Sequence, residues 1–406
     1  MDKNKKVPKV RFKGFEVDWE ETPLSEYITV SNEKNASNKY DKYDIYSVSR
    51  EYGVVNQIEY QGKSFAGASL TGYGVVHTWD VVYTKSPLKL QPYGIIKTNK
   101  TQNGIVSALY GVFTPNGNVD ANFVQTYFEL DQRLNDYLRP LVNKGAKNTL
   151  LISDEDAIKG NVIFPKKDEQ EKIVKMFNTL DTLIRKLEQK LEKLRNIKQS
   201  LLNQMFINGR GGYTPLIRFK GFEDQWEKNE AYVIFKTYFD KNHPNLPVLS
   251  ASQEYGMIVR ENAGFNVQHN KENEVGYKRV LPGQFVIHLR SFQGGFAHSK
   301  VEGITSPAYT IIEFRDKSQQ DDIFWKYVLT SKEFIKRLET VTYGIRDGRS
   351  ISFDDFSELG FEIPSLKEQR KIGKTLTDID SLIRNSKQKL DKFHSMKQSL
   401  LQKMFV

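Results

Sequence analysis

The sequence predicts an α+β chain in which two similar strand-rich domains are joined by two long, antiparallel coiled-coil helices with pseudo-two-fold symmetry. Three observations lead there. First, "RFKGFEVDW" at 11–19 returns as "RFKGFEDQW" at 218–226. Other pairs follow about 200 residues apart: "SREYGVV" (49–55) with "SQEYGMI" (252–258), "GIVSALY" (104–110) with "GITSPAY" (303–309), and "GAKNTLLIS" (145–153) with "GIRDGRSIS" (344–352). A period that long is a duplicated domain, not a solenoid repeat of ~20–50 residues. Second, each copy ends in a heptad-patterned stretch, 168–206 and 367–405. Third, the rest of each copy holds short β-branched and aromatic runs between turn residues, the mark of strands.

The elements divide the chain into a first domain (1–164), a central helical spacer (165–208), a second domain (209–363) and a C-terminal helical spacer (364–406). "WDVVYT" (79–84), "QFVIHL" (284–289) and "YTIIEF" (309–314) read as strands. One helix interrupts each domain. In the first, Asp120 caps a run with Phe123, Tyr127, Leu130, Leu134 and Leu138 on one face; in the second, 321–338 does the same.

In the central spacer the apolar seam is Ile173, Phe177, Leu180, Ile184, Leu187, Leu191, Leu194, then Leu201 and Met205, with Lys198 interrupting. In the C-terminal spacer it is Ile372, Leu376, Ile379, Ile383, Leu390, Phe393, Leu400 and Met404, with Ser386 and Lys397 interrupting. Steps of alternating four and three are a coiled-coil seam. Ser365 and Glu368 fit a capping box at the start of the second helix. A helix with one apolar stripe needs a partner, and its own duplicate is the nearest one. A two-fold axis across the pair makes the helices antiparallel. Arg11 to Trp19 should then pack near Met404, as Arg218 to Trp226 packs near Met205.

The composition excludes several functions. Cys is absent, which removes disulfides, Cys-based zinc sites and cysteine nucleophiles and suits a reducing cytoplasm. The N-terminus has no apolar run, and no stretch approaches ~18 apolar residues, so neither a signal peptide nor a membrane span is expected. The formal charge of +10 favours a polyanionic partner. There is no Asn/Asp-Pro-Pro-Tyr/Phe tetrapeptide for an amino-methyltransferase and no P-loop for a translocase. "FAGAS" (65–69) and "TGYG" (71–74) read as ordinary turns, and His288 and His298 lack a third ligand for a metal. No catalytic residue and no metal site is assigned.

The layout resembles the specificity (S) subunit of type I restriction-modification systems. The resemblance rests on the paired "RFKGFE..W" openings, the helix starts "PKKDEQEKI" and "PSLKEQRKI", and the helix ends "KQSLLNQMF" and "KQSLLQKMF". It implies that each domain is a target-recognition domain reading one half of a bipartite target in double-stranded DNA. The helical rod would set the gap between half-sites and dock two methyltransferase (M) subunits. Those subunits would carry S-adenosylmethionine, so no cofactor is expected on this chain, and restriction (R) subunits would complete the assembly. A similar chain could instead serve a fused methyltransferase-nuclease, or act as a coiled-coil scaffold without DNA.

Recognition residues are sought where the two copies diverge. The first candidate is "HLRSFQGGFAHSK" (288–300): Arg290 suits guanine, Gln293 adenine, and Ser291 either base or phosphate. The second is "YGIRDGRS" (343–350) with Arg346, Asp347 and Arg349, whose counterpart offers Lys144, Lys147 and Asn148. In the first domain, Tyr83, Lys85, Ser86, Lys89 and Tyr93 occupy the place of the 288–300 loop. Arg50 and Gln253 are the divergent positions of the "SREYG" and "SQEYG" turns, in which Tyr52 and Tyr255 read as scaffold. The helix charges Lys186, Glu188, Lys190 and Glu192 either solvate the rod or dock a partner.

Overall fold

A computed structural model describes residues 6–67, 69–145, 150–207, 214–252, 255–263, 271–288, 295–341 and 352–406. The chain forms two compact units, Met1–Glu188 with Gln388–Val406, and Gln189–Lys387. Both spacers are helical, over Lys167–Gln204 and Leu366–Lys403. Each helix has 38 residues, a rod of roughly 57 Å at ~1.5 Å per residue.

The first unit holds a four-stranded antiparallel sheet in the order Ile28–Val30, Tyr110–Pro115, Val81–Thr84, Ile95–Thr98. The second unit repeats it with Phe235–Tyr238, Thr310–Phe314, Phe285–Ile287 and Phe296–His298. A two-stranded ribbon, Tyr46–Ser49 with Gly53–Asn56, recurs as Leu249–Ser252 with Gly256–Val259. The strand opening each domain pairs with the one leading into its long helix: Glu20–Pro23 with Asn161–Phe164, and Glu227–Glu230 with Gly360–Ile363.

The single amphipathic helix expected in each domain is two shorter ones. Ala121–Tyr127 and Asp131–Leu138 are separated by Phe128 to Leu130, and Leu130 turns to extended backbone before the second helix. The other copy breaks likewise into Asp322–Leu329 and Lys332–Val341. The apolar period continues through the break because both helices cover the same core, which is why the pattern reads as one. Asp120 caps as expected, accepting the Asn122 N–H at 2.7 Å.

The seam residues are buried or half-buried throughout both helices. Within each unit the helix segments run antiparallel. In the first, Lys397 bridges Asp181 at 2.7 Å while Phe405 contacts Phe177 at a ring separation of 6.0 Å. In the second, Lys198 bridges Asp380 at 2.6 Å and Met205 shares a core with Ile372 and Leu376. Asp181 and Asp380 occupy equivalent places in the two repeats, so each seam lysine finds the same aspartate on the opposing helix.

The repeated opening phrase packs against a helix end in each unit. Trp19 is buried edge-on to Phe405, 6.1 Å between ring centres, in one core with Met404. Trp226 lies in one core with Met205, edge-on to Phe324, which stacks on Phe206. Val10 donates its N–H to the Lys403 carbonyl, and Ile217 donates to that of Gln204.

The arginine of that phrase reaches the start of a long helix. Arg11 grips Glu169 with two bonds of 2.8 Å, and Arg218 grips Glu368 with two of the same length. Both carboxylates are almost fully buried, at 2% and 0% exposure. The hydrogen bond to the carboxylate raises each guanidinium above its ordinary pKa. This corrects the expected capping box: the Glu368 carboxylate serves Arg218. The next residue completes the junction. Gln170 accepts the Asp120 N–H at 3.0 Å and Gln369 accepts that of Asp321 at 2.9 Å, while their amides donate to Pro165 and Pro364.

One turn separates the copies. His77–Asp80 and Leu281–Gln284 fold alike, the fourth side chain accepting the first N–H at 2.8 and 2.7 Å. The third residue is left-handed in both: Gly283 at φ +86° in one, Trp79 at φ +77° in the other. A side chain there costs about 1–2 kcal/mol.

Two expectations follow. Arg218→Ala leaves Glu368 buried and unpaired and should cost the second unit about 3 kcal/mol in urea unfolding, as broken buried pairs do; a loss below about 0.5 kcal/mol would show that the bridge is not structural. Trp79→Gly relieves left-handed strain and, after the entropy cost of glycine, should stabilise the first unit by about 0.5 kcal/mol. A lowered melting temperature would contradict that.

Candidate nucleic-acid interface

The hairpin between Val81–Thr84 and Ile95–Thr98 carries the first unit's candidates. Its first strand is buried on both faces. Val81 and Tyr83 join the main core, while Val82 joins a second cluster with Tyr46, Val54 and Val106. Tyr83 therefore has 0% exposure, and its hydroxyl donates to the Tyr93 carbonyl at 2.6 Å. Burial pushes the phenol's pKa up. A Cβ on Gly94, at φ +95°, would sit 2.7 Å from the Tyr83 ring, so glycine permits this packing. Tyr83 is removed from the candidate contacts expected from the sequence, because its strand is covered on both faces.

Beyond the strand, Lys85 bridges Asp154 at 2.8 Å, Ser86 is half-buried, Lys89 is exposed, and Tyr93 packs partly against the core. Arg50 reaches in from the ribbon to Asp131 at 2.5 Å, and the other Asp131 oxygen accepts the amide of buried Gln91 at 2.6 Å. Asp131 opens the helix Asp131–Leu138, whose Asn135 also holds the Leu90 carbonyl at 3.1 Å. A rigid helix thus anchors the hairpin tip. The sequence reading misses Gln91, a neutral residue among the lysines of its stretch, and Asp131, which lies in no basic or glycine-rich stretch.

Arg290, Ser291, Gln293, Arg346, Asp347, Arg349, Lys147, Asn148 and Gln253 lie outside the described residues, as does the side chain of Lys144. Next to the first of these segments, the His288 N–H donates to the Gly295 carbonyl at 3.2 Å. Among the described residues no group of three or more His, Asp or Glu is placed to hold a metal ion, and no helix is long and apolar enough to cross a membrane.

Behind the hairpin a charged cluster ties the first domain to the C-terminal helix. Lys397, a seam residue, bridges Glu129 at 2.8 Å as well as Asp181. Burial works to raise Glu129, but Lys397 and Lys97 outweigh it and hold the carboxyl below its usual range. Burial works to lower Lys397, yet Glu129 and Asp181 hold it above the usual lysine value. Burial pulls Lys97 down.

Residues 225–393 match the family model of the type I restriction modification DNA specificity domain. The first domain, outside that match, repeats the strand order and framework contacts of the second. In overall fold the chain is similar to the S subunit of a type I restriction-modification system from M. genitalium, at 14% identity over 98% of this chain and 99% of that one, with a TM-score of 0.58. It is also similar to the HsdS subunit from Thermoanaerobacter tengcongensis, at 14% identity over 95% and 96% of the two chains and a TM-score of 0.43. A chain from a structure addressing complex assembly and conformational transition of the type I R-M system matches at 14% identity, over 95% and 97%, with a TM-score of 0.46.

The cluster at Glu129 makes a pH prediction. A carboxyl depressed in the folded state stabilises above its unfolded pKa, and that contribution is lost as the pH falls through the folded value. Glu129→Gln should therefore destabilise the first unit at neutral pH by about 1–3 kcal/mol. The deficit should narrow as the pH is lowered to about 3, read from urea midpoints at each pH. A deficit constant with pH would mean that Glu129 acts by packing alone.

Proposed function

We propose that this chain is the non-catalytic DNA-specificity subunit of a type I restriction-modification complex. The observation that carries the reading is one specificity-domain fold built twice, with identical junctions to the helices and divergent loops between them. Lysines and arginines at the hairpin tips would hold phosphates and give salt-dependent affinity, while base edges would be read by the divergent side chains. Arg50, Lys85, Ser86, Lys89 and Tyr93 remain contacts of this kind in the first domain, the two ion-paired cations exchanging Asp131 and Asp154 for phosphate. Arg290, Ser291, Gln293, Arg346, Asp347, Arg349, Lys144, Lys147, Asn148 and Gln253 are proposed on the same chemical grounds.

The helices would set the gap and receive two methyltransferase subunits, which bring S-adenosylmethionine; restriction subunits would join them in the cytoplasm. Each unit offers an apolar pair for such docking. Leu183 and Met396 are exposed at the level of the Asp181–Lys397 bridge, and Ile197 and Leu382 are exposed at that of Lys198–Asp380. Equivalent places in the two repeats suit two copies of one partner.

The test is a matched one-heptad insertion in both long helices. Seven residues add about 10 Å, close to three base pairs at about 3.4 Å each. Binding selections on random duplexes with the methyltransferase subunit present should return unchanged half-sites separated by a longer gap. Altered half-sites at an unchanged gap would defeat the reading.

A further inference from the structure

Trp79 holds the left-handed position of its turn, where the second copy places Gly283. The strain is not offset by packing. The indole is 51% exposed, and among the described residues it stacks on no ring and carries no cation. It walls a cavity of about 650 Å³ in the first unit, with Asp80, with Asp120 and Asn122 at the start of the internal helix, and with Lys167 and Glu171 of the long helix. Backbone strain of this kind collects at ligand sites.

The second copy shows how the cavity arises. There His298 pairs with Asp322 at 2.7 Å, and the Asp322 side chain stands 3.8 Å from where Gly283 would carry a Cβ. The equivalent residues of the first copy are Thr98 and Ala121, joined by a bond of 2.6 Å from the Thr98 hydroxyl to the Ala121 carbonyl. Ala121 has no side chain long enough to reach the turn. One copy fills the space beside the turn with an ion pair; the other leaves a cavity and adds an indole to its wall.

The charged and hydroxyl donors of that wall are engaged. Lys167 donates to the Gly117 carbonyl at 2.9 Å, the Thr78 hydroxyl donates to the Thr101 carbonyl at 2.7 Å, and His77 pairs with Glu33 at 2.7 Å. The Thr114 hydroxyl serves Asp80. Two acceptors are left over. Glu171 makes no ion pair among the described residues, and the Asn122 side-chain oxygen is buried without a hydrogen-bond partner. Burial pushes Asp80 up, yet even with Asp80 neutral two carboxylates, Asp120 and Glu171, stand against the one ammonium of Lys167. The cavity is thus acidic on a chain whose formal charge is +10, and it disfavours phosphate. An indole face beside an unpaired carboxylate attracts a cation. A guanidinium suits it best, because it is planar enough to stack on the ring while its N–H edge meets the carboxylate.

We propose that this cavity of the first unit binds a guanidinium group, with Trp79 as the stacking wall and Glu171 as the counter-ion. The group arrives on a small molecule or on an arginine of a bound protein, and the chemistry of the site is the same for both.

The test titrates the full chain with N-acetylarginine amide at matched ionic strength, followed by saturation-transfer NMR. Trp19, Trp226 and Trp325 are buried, so a change in indole emission during the titration reports Trp79. Binding should saturate with a Kd on the order of millimolar. The uncharged N-acetylcitrulline amide should bind at least about tenfold more weakly. Trp79→Gly should lose at least about tenfold while melting no lower than the wild-type chain. Glu171→Gln, which leaves the strained turn untouched, should lose about threefold. Equal binding of the citrulline amide, full binding by Trp79→Gly, or no saturable signal from the wild-type chain would each overturn the proposal. The source of the group is read by titrating the methyltransferase subunit onto wild-type and Trp79→Gly chains. A loss of about tenfold in the variant assigns the guanidinium to that protein, and unchanged binding assigns it to a small molecule. If that subunit bound neither chain, the functional reading above would fail while the cavity was still judged by the arginine amide.

Discussion

The grip of Arg11 on Glu169, repeated by Arg218 on Glu368, is the contact on which the placement of each domain depends. Its two parallel bonds fix direction as well as distance, as only a guanidinium and a carboxylate can. The carboxylate stands in the first turn of a long helix, where the helix dipole favours negative charge. The arginine belongs to the segment that enters the domain. One bond pair therefore ties the chain's way in to its way out, and the next residue, Gln170 or Gln369, ties in the internal helix through Asp120 or Asp321. A reader of bases needs a recognition surface held to within a fraction of an ångström, and this junction supplies the rigidity.

The helix pair solves a related problem of register. Apolar seams slide at little cost, whereas a lysine in the seam must find an anion at one level only. Lys397 finds Asp181 and Glu129, and Lys198 finds Asp380, which also accepts the Tyr327 hydroxyl at 2.7 Å. In each unit the pin joins both helices and reaches into the globular domain. Register, and through it any spacing the rod imposes, is thus coupled to the domain that would use it.

Much of this was legible because the chain could be compared with itself. The duplication gave the antiparallel pairing and the burial of the opening phrase against the helix ends, since whatever held one copy had to hold the other. The heptads gave the seam. What failed was inference from local pattern alone. Tyr83 sits in a strand covered on both faces, and alternation cannot reveal a second covering layer. Glu368 follows Ser365 at capping-box spacing, but its partner is 150 residues away. The break at Phe128–Leu130 is hidden because both halves of the run face one core. Asp131 and Gln91 carry no sequence signal, being ordinary polar residues made significant by the hydrogen bond that joins them and by the Arg50 side chain that takes the other Asp131 oxygen. Recognition residues are the least legible of all, since divergence shows where a loop is free to differ and not which base it meets.

The central claim is that a tandem-built chain specifies a two-part DNA target. Mapping methyladenine across the host genome, with this gene intact and deleted, addresses it directly. The account predicts one asymmetric motif of two short halves, separated by a fixed unspecified gap, methylated only when the gene is present. A methylation pattern unchanged by the deletion, or a lost motif that is continuous rather than divided, would contradict it.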